Sequence, residues 1–364
     1  MPHEFSPVLR RVRPSFVATL ATPATFLLGS LAFGQAPRVE RLVEIGCEDC
    51  GDARQLSSTW DVAVTEAGDV LAVDRDAPTL RLFDKSGRVV WARGRPGAGP
   101  GEYRFAMRAA FGPDGTVHVV DMRARRLTRL ARDGSVAQSL TIPFLPVGVA
   151  ARGRQGELVF LTDDFKSTGT LERWLPTASA PTQLASFPTP PPGEATLSAS
   201  VAVAPNGDIA YIPSGDRYEI RRLTSRGQAL AAVGRDIPRP RRTPEEIATM
   251  KQRMNAVGAA AKATQEQKQS GGSKSLLSDE DRFVFKPHAS TDALRYDDAR
   301  RLWVRTLRGT GRTTVFDVFG PTGAFVGEVT LPMQVSAYSL AGSYLATAGE
   351  REDGVPVVVL WSVR

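Results

Sequence analysis

The sequence predicts an all-β chain closed into a ring of small radial sheets: a six-bladed β-propeller sealed by its N-terminal strand, with one helical insert between blades 4 and 5. Three observations predict it. Apolar residues alternate or come in short runs separated by Gly, Asp-Gly or Pro, which is strand spacing and not helical spacing. A block of four such runs repeats, with Gly68, Asp74 and Gly87 answered 47 positions later by Gly115, Asp121 and Gly134. An all-β period of about 40 to 50 residues belongs to propellers. Finally, the last unit is one strand short, and the N-terminal region holds one strand with no unit of its own.

The chain opens on a leader. Arg10, Arg11 and Arg13 precede an apolar run from Phe16 to Phe33 that ends in Gly34-Gln35-Ala36, where small residues suit cleavage after Ala36. Residues 1–36 are therefore expected to be a signal peptide and residues 37–364 the exported propeller, periplasmic or secreted, with no membrane span after cleavage. Thr19, Thr22, Pro23 and Thr25 dilute the run below what a retained anchor needs. Removing three Arg and one Glu takes the formal charge from +7 to +5, so the exported chain stays basic. Such a chain meets anionic glycans, lipid head groups and acidic proteins, and nucleic acid is not an expected partner.

The first unit contains strands over Trp60 to Thr65, Asp69 to Asp74, Thr79 to Asp84 and Arg88 to Arg93, with Gly68 and Gly87 in its tight turns. Looser copies begin near Val147 with Gly156, near Val201 with Asn206-Gly207 and Gly227, near Leu294 with Asp298 and Gly323, and near Val335 with Gly342. The count is about six. The last unit offers only Val335 to Leu340, Tyr344 to Thr347 and Val355 to Val363, and Arg38 to Ile45 supplies the missing strand, which removes an open edge.

The insert over 236–288 breaks the period. Thr243-Pro244-Glu245-Glu246 is an N-cap, a Pro at the first helical position and a reciprocal Glu, so a helix is expected to start there. Ile247, Met250, Met254 and Val257 then form one apolar stripe. A lid or partner-docking helix and a packed decoration are both open readings.

Gly94-Arg-Pro-Gly97-Ala-Gly99-Pro-Gly101-Glu102-Tyr103, Phe111-Gly-Pro-Asp-Gly115, Val117-His-Val-Val-Asp121 and Arg126-Leu127 together resemble the NHL repeat, over residues 59 to 141. Ala299-Arg300-Arg301-Leu302-Trp303-Val304 echoes its turn and second strand. The resemblance implies a six-bladed propeller like those of exported bacterial NHL-type proteins and implies no single activity.

In an up-and-down meander, the second-to-third and inter-blade connections share one face. That face receives the long segments, including Gly94 to Arg104, Met122 to Arg125, Asp163 to Thr168 and the insert, and binding groups concentrate on such loops. Arg75, Tyr103, Arg104, Arg123, Asp164 and Arg305 are the candidate binding residues by position. Asp74 and Asp121 read as acceptors for loop N–H groups. The five tryptophans read as blade packing. Cys47 and Cys50 are expected to close a small disulfide in an oxidising compartment, a redox role being the other reading. Only His118 and His288 follow the leader, and Asn is confined to Asn206 and Asn255, so no metal site, cofactor or catalytic residue is expected. The functional expectation is an exported, non-catalytic scaffold engaging a protein, peptide or anionic glycan. The alternative is a lyase or hydrolase at the channel mouth.

Overall fold

A computed structural model describes residues 35–48, 54–74, 79–104, 106–112, 114–144, 148–151, 157–163, 168–188, 200–213, 217–252, 286 and 288–364. The expected leader, apart from Gln35 and Ala36, lies outside these residues, as do the greater part of the insert and Cys50. The described chain is mostly β, arranged as six four-stranded antiparallel sheets. Blade 1 comprises Thr59–Val64, Val70–Asp74, Thr79–Phe83 and Val89–Arg93. Blade 2 comprises Ala106–Phe111, Val117–Asp121, Arg126–Leu130 and Val136–Thr141. The inner strands of blades 3 to 6 are Gly148–Ala151, Val201–Val203, Ala289–Tyr296 and Val335–Ala341.

The strands near the axis run apolar on both sides because that part of each blade is buried on both faces, while outer strands such as Val89–Arg93 and Val136–Thr141 are largely exposed. In blade 1, Val62, Val64, Val70 and Ala72 pack into the gap toward blade 6, while Ala63, Leu71 and Val73 pack into the gap toward blade 2. Successive side chains point to opposite faces of a sheet, so adjacent residues serve different neighbours. The same division around the ring gives six core clusters, one in each gap between blades. Gaps between blades 6 and 1 and between all the consecutive pairs are filled, which is the signature of a closed ring.

Closure is a strand exchange between the chain's ends. Val39–Ile45 pairs antiparallel with Pro356–Val363, from Val39 opposite Val363 to Ile45 opposite Val358, and completes blade 6. Arg38 and Arg364 extend the join through reciprocal backbone bonds of 2.9 Å. The repeat glycines have a backbone reason: Gly68 and Gly115 sit at φ +92° and +75°, where an L side chain is strained.

The insert begins as the sequence predicts. A helix runs over 244–252, and Thr243 and Glu246 cap it reciprocally, Thr243 N–H to Glu246 Oε2 at 2.9 Å and Glu246 N–H to Thr243 Oγ1 at 3.3 Å. Ile247 and Met250 are its half-buried residues. Lys286 ties the far end of the insert back, its Nζ 2.6 Å from Glu246 and its N–H 2.7 Å from Pro240 O. One expectation needs correcting. Trp91, Trp174, Trp303 and Trp361 are buried blade-packing residues, but Trp60 is 39% exposed, because it occupies a bulge at the head of its strand.

Candidate functional site

Every inner strand enters from the long-loop face, and in blades 1, 2, 5 and 6 its ladder starts irregularly, whereas in blades 3 and 4 it pairs without a shift. In blade 1 the pairing goes from Thr59 opposite Asp74 to Asp61 opposite Val73, leaving Trp60 as the extra residue. Blade 2 repeats this, from Ala106 opposite Asp121 to Arg108 opposite Val120. Blade 6 does so from Val335 opposite Gly349 to Ala337 opposite Ala348. A bulge re-aims the side chains beside it. Asp61 and Arg108 are therefore equivalent residues of neighbouring blades, 47 positions apart, and their side chains meet at 3.4 Å.

Blade 5 carries a larger break: Ala289 pairs with Thr306, and the next pair is Leu294 with Val304. Asp292 lies inside it at φ +57°. Its carboxylate meets Arg108, with both guanidinium nitrogens of that arginine involved. Blades 2 and 5 stand opposite each other in a ring of six, so this ion pair bridges the propeller axis. Arg295 grips the same carboxylate, Nη1 to Oδ1 at 2.7 Å and Nη2 to Oδ2 at 2.9 Å.

The surroundings are built to hold these groups. Asp61 Oδ2 accepts the Ala109 N–H at 2.9 Å, and its Oδ1 lies 3.8 Å from Arg295. Arg305 donates from Nε to Ser290 Oγ and from Nη1 to Val335 O, each at 2.7 Å. The Tyr338 hydroxyl donates to Ala293 O at 2.6 Å, and the Arg295 guanidinium lies 5.2 Å from the Tyr338 ring centroid. Ser200 Oγ receives the Ala293 N–H at 2.8 Å.

Among the described residues the axial cluster thus gathers three guanidinium groups and two carboxylates. Burial, followed by the charge of Arg295, pulls Arg108 down to about 9, although Asp61 works the other way. Burial likewise brings Arg305 to about 10. Buried like charges at such proximity favour any anion that enters.

A second part of the site lies at the top of blade 2. Asp121 accepts the Arg104 N–H at 2.6 Å and the Ala124 N–H at 2.8 Å. One carboxylate thereby joins the inter-blade loop to the Met122–Arg125 connection and brings the backbone at Arg104 close to that before Ala124; Arg104, Arg123 and Arg125 are exposed, the last at φ +49°. Asp74 does the same work in blade 1, accepting Ser57 N–H at 2.9 Å and Ser58 N–H at 3.2 Å and pairing with Arg81 at 2.8 Å. The glycine-rich loop before Arg104 is closed on itself. Glu102 Oε2 accepts the Ala98 and Gly99 N–H groups at 2.9 and 2.7 Å, and Arg126 reaches the Gly99 carbonyl at 2.6 Å.

The candidate residues separate into four groups. Arg104 and Arg123 share the Asp121 clamp, while Arg75 and Asp164 lie outside the described residues. Arg305 is in the axial cluster and 6% exposed. Tyr103 is 1% exposed and packs between blades 1 and 2, where it is a packing residue rather than a surface group. Its hydroxyl has no hydrogen-bond partner among the described residues, and burial, aided by Asp121, pushes it up to about 12. Cys47 is disulfide-bonded. Asp61, Arg108, Asp292 and Arg295 escaped the sequence reading. The period of 47 linking Asp61 with Arg108, each a charge inside an apolar strand, was a usable signal for the first two.

Another polar cluster sits where the insert leaves the ring. Tyr218 donates its hydroxyl to fully buried Asp317, which also pairs with Arg308 and, at 2.9 Å, with Arg235. His288 stacks on Tyr218 with ring centroids 5.3 Å apart, and its buried Nδ1 has no hydrogen-bond partner among the described residues. Among the described residues, no group of three or more His, Cys, Asp or Glu could hold a metal ion. No helix among them is long and apolar enough to cross a membrane.

No protein-family model matches this chain, and no curated protein matches it either. Solved structures do. A member of the DUF4221 family from Bacteroides vulgatus is similar at a TM-score of 0.56 and 9% identity, over 90% of this chain and 98% of that one. A Bacteroides fragilis protein described as exported gives 0.54 and 12%, over 90% and 95%. Virginiamycin B lyase from Staphylococcus aureus gives 0.47 and 12%, over 90% and 99%. At these identities the likeness is one of fold.

Proposed function

We propose that this chain is an exported, NHL-like, non-catalytic binding propeller that engages an anionic ligand, an acidic protein segment or glycan, on its long-loop face. The observation that carries the reading is the arginine distribution. Asp121 ties the segments that carry exposed Arg104 and Arg123 to one another through backbone N–H groups, and Arg108, in the strand that follows, leads to the axial arginines. Guanidinium groups held in fixed orientations are suited to carboxylates and other oxyanions. Export is supported by the leader pattern and by the disulfide at Cys47, which suits an oxidising compartment.

Calorimetric titration of the purified protein with acidic and neutral oligomers tests this. Saturable binding of the acidic oligomer is expected, weakening roughly tenfold as salt rises from about 50 to about 200 mM, because exposed charges are screened. The double variant Arg104→Gln/Arg123→Gln should lose about tenfold in affinity while unfolding at the same temperature. Equal binding of neutral oligomers would overturn the reading, and turnover of the bound oligomer would replace it with a lyase or hydrolase.

A further inference from the structure

We infer that the position filled by the Asp292 carboxylate is a recognition site for the carboxylate of an acidic peptide side chain, and that Asp292 is an internal stand-in which such a ligand displaces. The inference rests on the anion-binding reading above and assigns that site its ligand and its competitor.

The geometry argues for a carboxylate. Arg108 and Arg295 each present two N–H donors to the two oxygens of Asp292, so a single planar group satisfies two guanidinium forks. The occupant is itself an aspartate presented by a polypeptide, so the site already accepts the side chain of an acidic peptide. Asp61, the other carboxylate of the cluster, is engaged by the Ala109 N–H.

The backbone argues that Asp292 can yield. It lies between two ladder pairs, Ala289 with Thr306 and Leu294 with Val304, in the left-handed region at φ +57°. That conformation is uncommon outside glycine, although Asp and Asn tolerate it better than most residues. The Asp292 side chain retains 22% exposure and that of Arg295 20%, so solvent reaches the pair. The frame around it is fixed separately. Ala293 is held through its N–H by Ser200 and through its carbonyl by Tyr338, and Arg305 is held by Ser290 and the Val335 carbonyl. Arg108 and Arg295 each keep a second carboxylate, Asp61, at 3.4 and 3.8 Å when Asp292 swings outward.

Binding of hexa-aspartate and of hexagalacturonate to the wild-type protein, Asp292→Asn and Asp292→Gly tests the inference, both replacements being compatible with the left-handed backbone. Removing the competitor should tighten hexa-aspartate binding about tenfold in both variants, since a site blocked most of the time binds weakly in proportion. Hexagalacturonate should change less than about twofold by the same reasoning. Unchanged or weaker hexa-aspartate binding in the variants would overturn the inference. So would an equal gain for hexagalacturonate, which would make the ligand a glycan. Loss of cooperative thermal unfolding in both variants would make Asp292 a structural pillar and overturn it too. Wild-type binding with no gain in the variants leaves the anion-binding reading standing and removes only this step, whereas no binding of either acidic oligomer by any form removes both.

Discussion

Asp74 and Asp121 show how one carboxylate can organise a loop. Each ends the second strand of its blade, is 1% exposed, and accepts an N–H of the connection that enters the blade, while Asp121 also takes the Ala124 N–H and Asp74 pairs with Arg81. Burial of Asp74 works to raise its pKa, but the bonds from Ser57 and Arg81 outweigh it and leave the group below the ordinary value. Asp74→Ala removes these bonds and strands the largely buried Arg81, so a loss of about 3 kcal/mol is expected in denaturant unfolding. His288 gives a residue-scale pH prediction. Burial first, then Arg239 and Arg308, depress its pKa below the usual 6.5, against a smaller opposing pull from Asp317. As pH falls below 6.5, the unfolded chain takes up a proton that the folded chain refuses, so stability drops on acidification. His288→Phe keeps the stack on Tyr218 and removes the titration. The fall in denaturation midpoint between pH 7.5 and pH 5.5 should be smaller in the variant; an equal fall would assign the acid sensitivity elsewhere.

Strands, turns and the closing join were the legible parts of this sequence. A four-stranded blade repeats its turn glycines at fixed spacing because each turn needs the same left-handed residue, so Gly68 and Gly115 carried the period. The missing strand at the C-terminal end and the unassigned strand at the N-terminal end could be matched because strands come in sets of four. The capping box at Thr243 is likewise local chemistry, readable within four residues. The axial cluster was not legible, because its groups come from blades 1, 2, 5 and 6 and no local pattern states which blades face each other. Bulges hid it further: one extra residue turns Trp60 outward and aims Asp61 inward, and alternation alone cannot place that slip. The closing strand yields a prediction at this scale. Deleting residues 37–46 uncovers the edge of Pro356–Val363 and removes Ile45 from the gap between blades 6 and 1. A lower melting temperature and concentration-dependent aggregation are expected, read by calorimetry and light scattering.

The described chain is a ring with six apolar gaps between its blades, and the polar groups of the candidate site lie at the axis and on one face. That division separates scaffold from site: the gaps tolerate the low sequence identity seen among structures of this fold, while the chemistry depends on which residues the inner strands point inward. The bridge between Arg108 and Asp292 is where both descriptions meet, since it exists only if blades 2 and 5 oppose each other across a closed centre. The most direct test is therefore a double-mutant cycle on Arg108→Met and Asp292→Asn, read by denaturant unfolding of the two single variants and the double variant. Residues 184 positions apart in sequence should show a coupling of about 2 kcal/mol across the axis. Additive effects, within about 0.5 kcal/mol, would mean that the two side chains do not meet and would contradict the account.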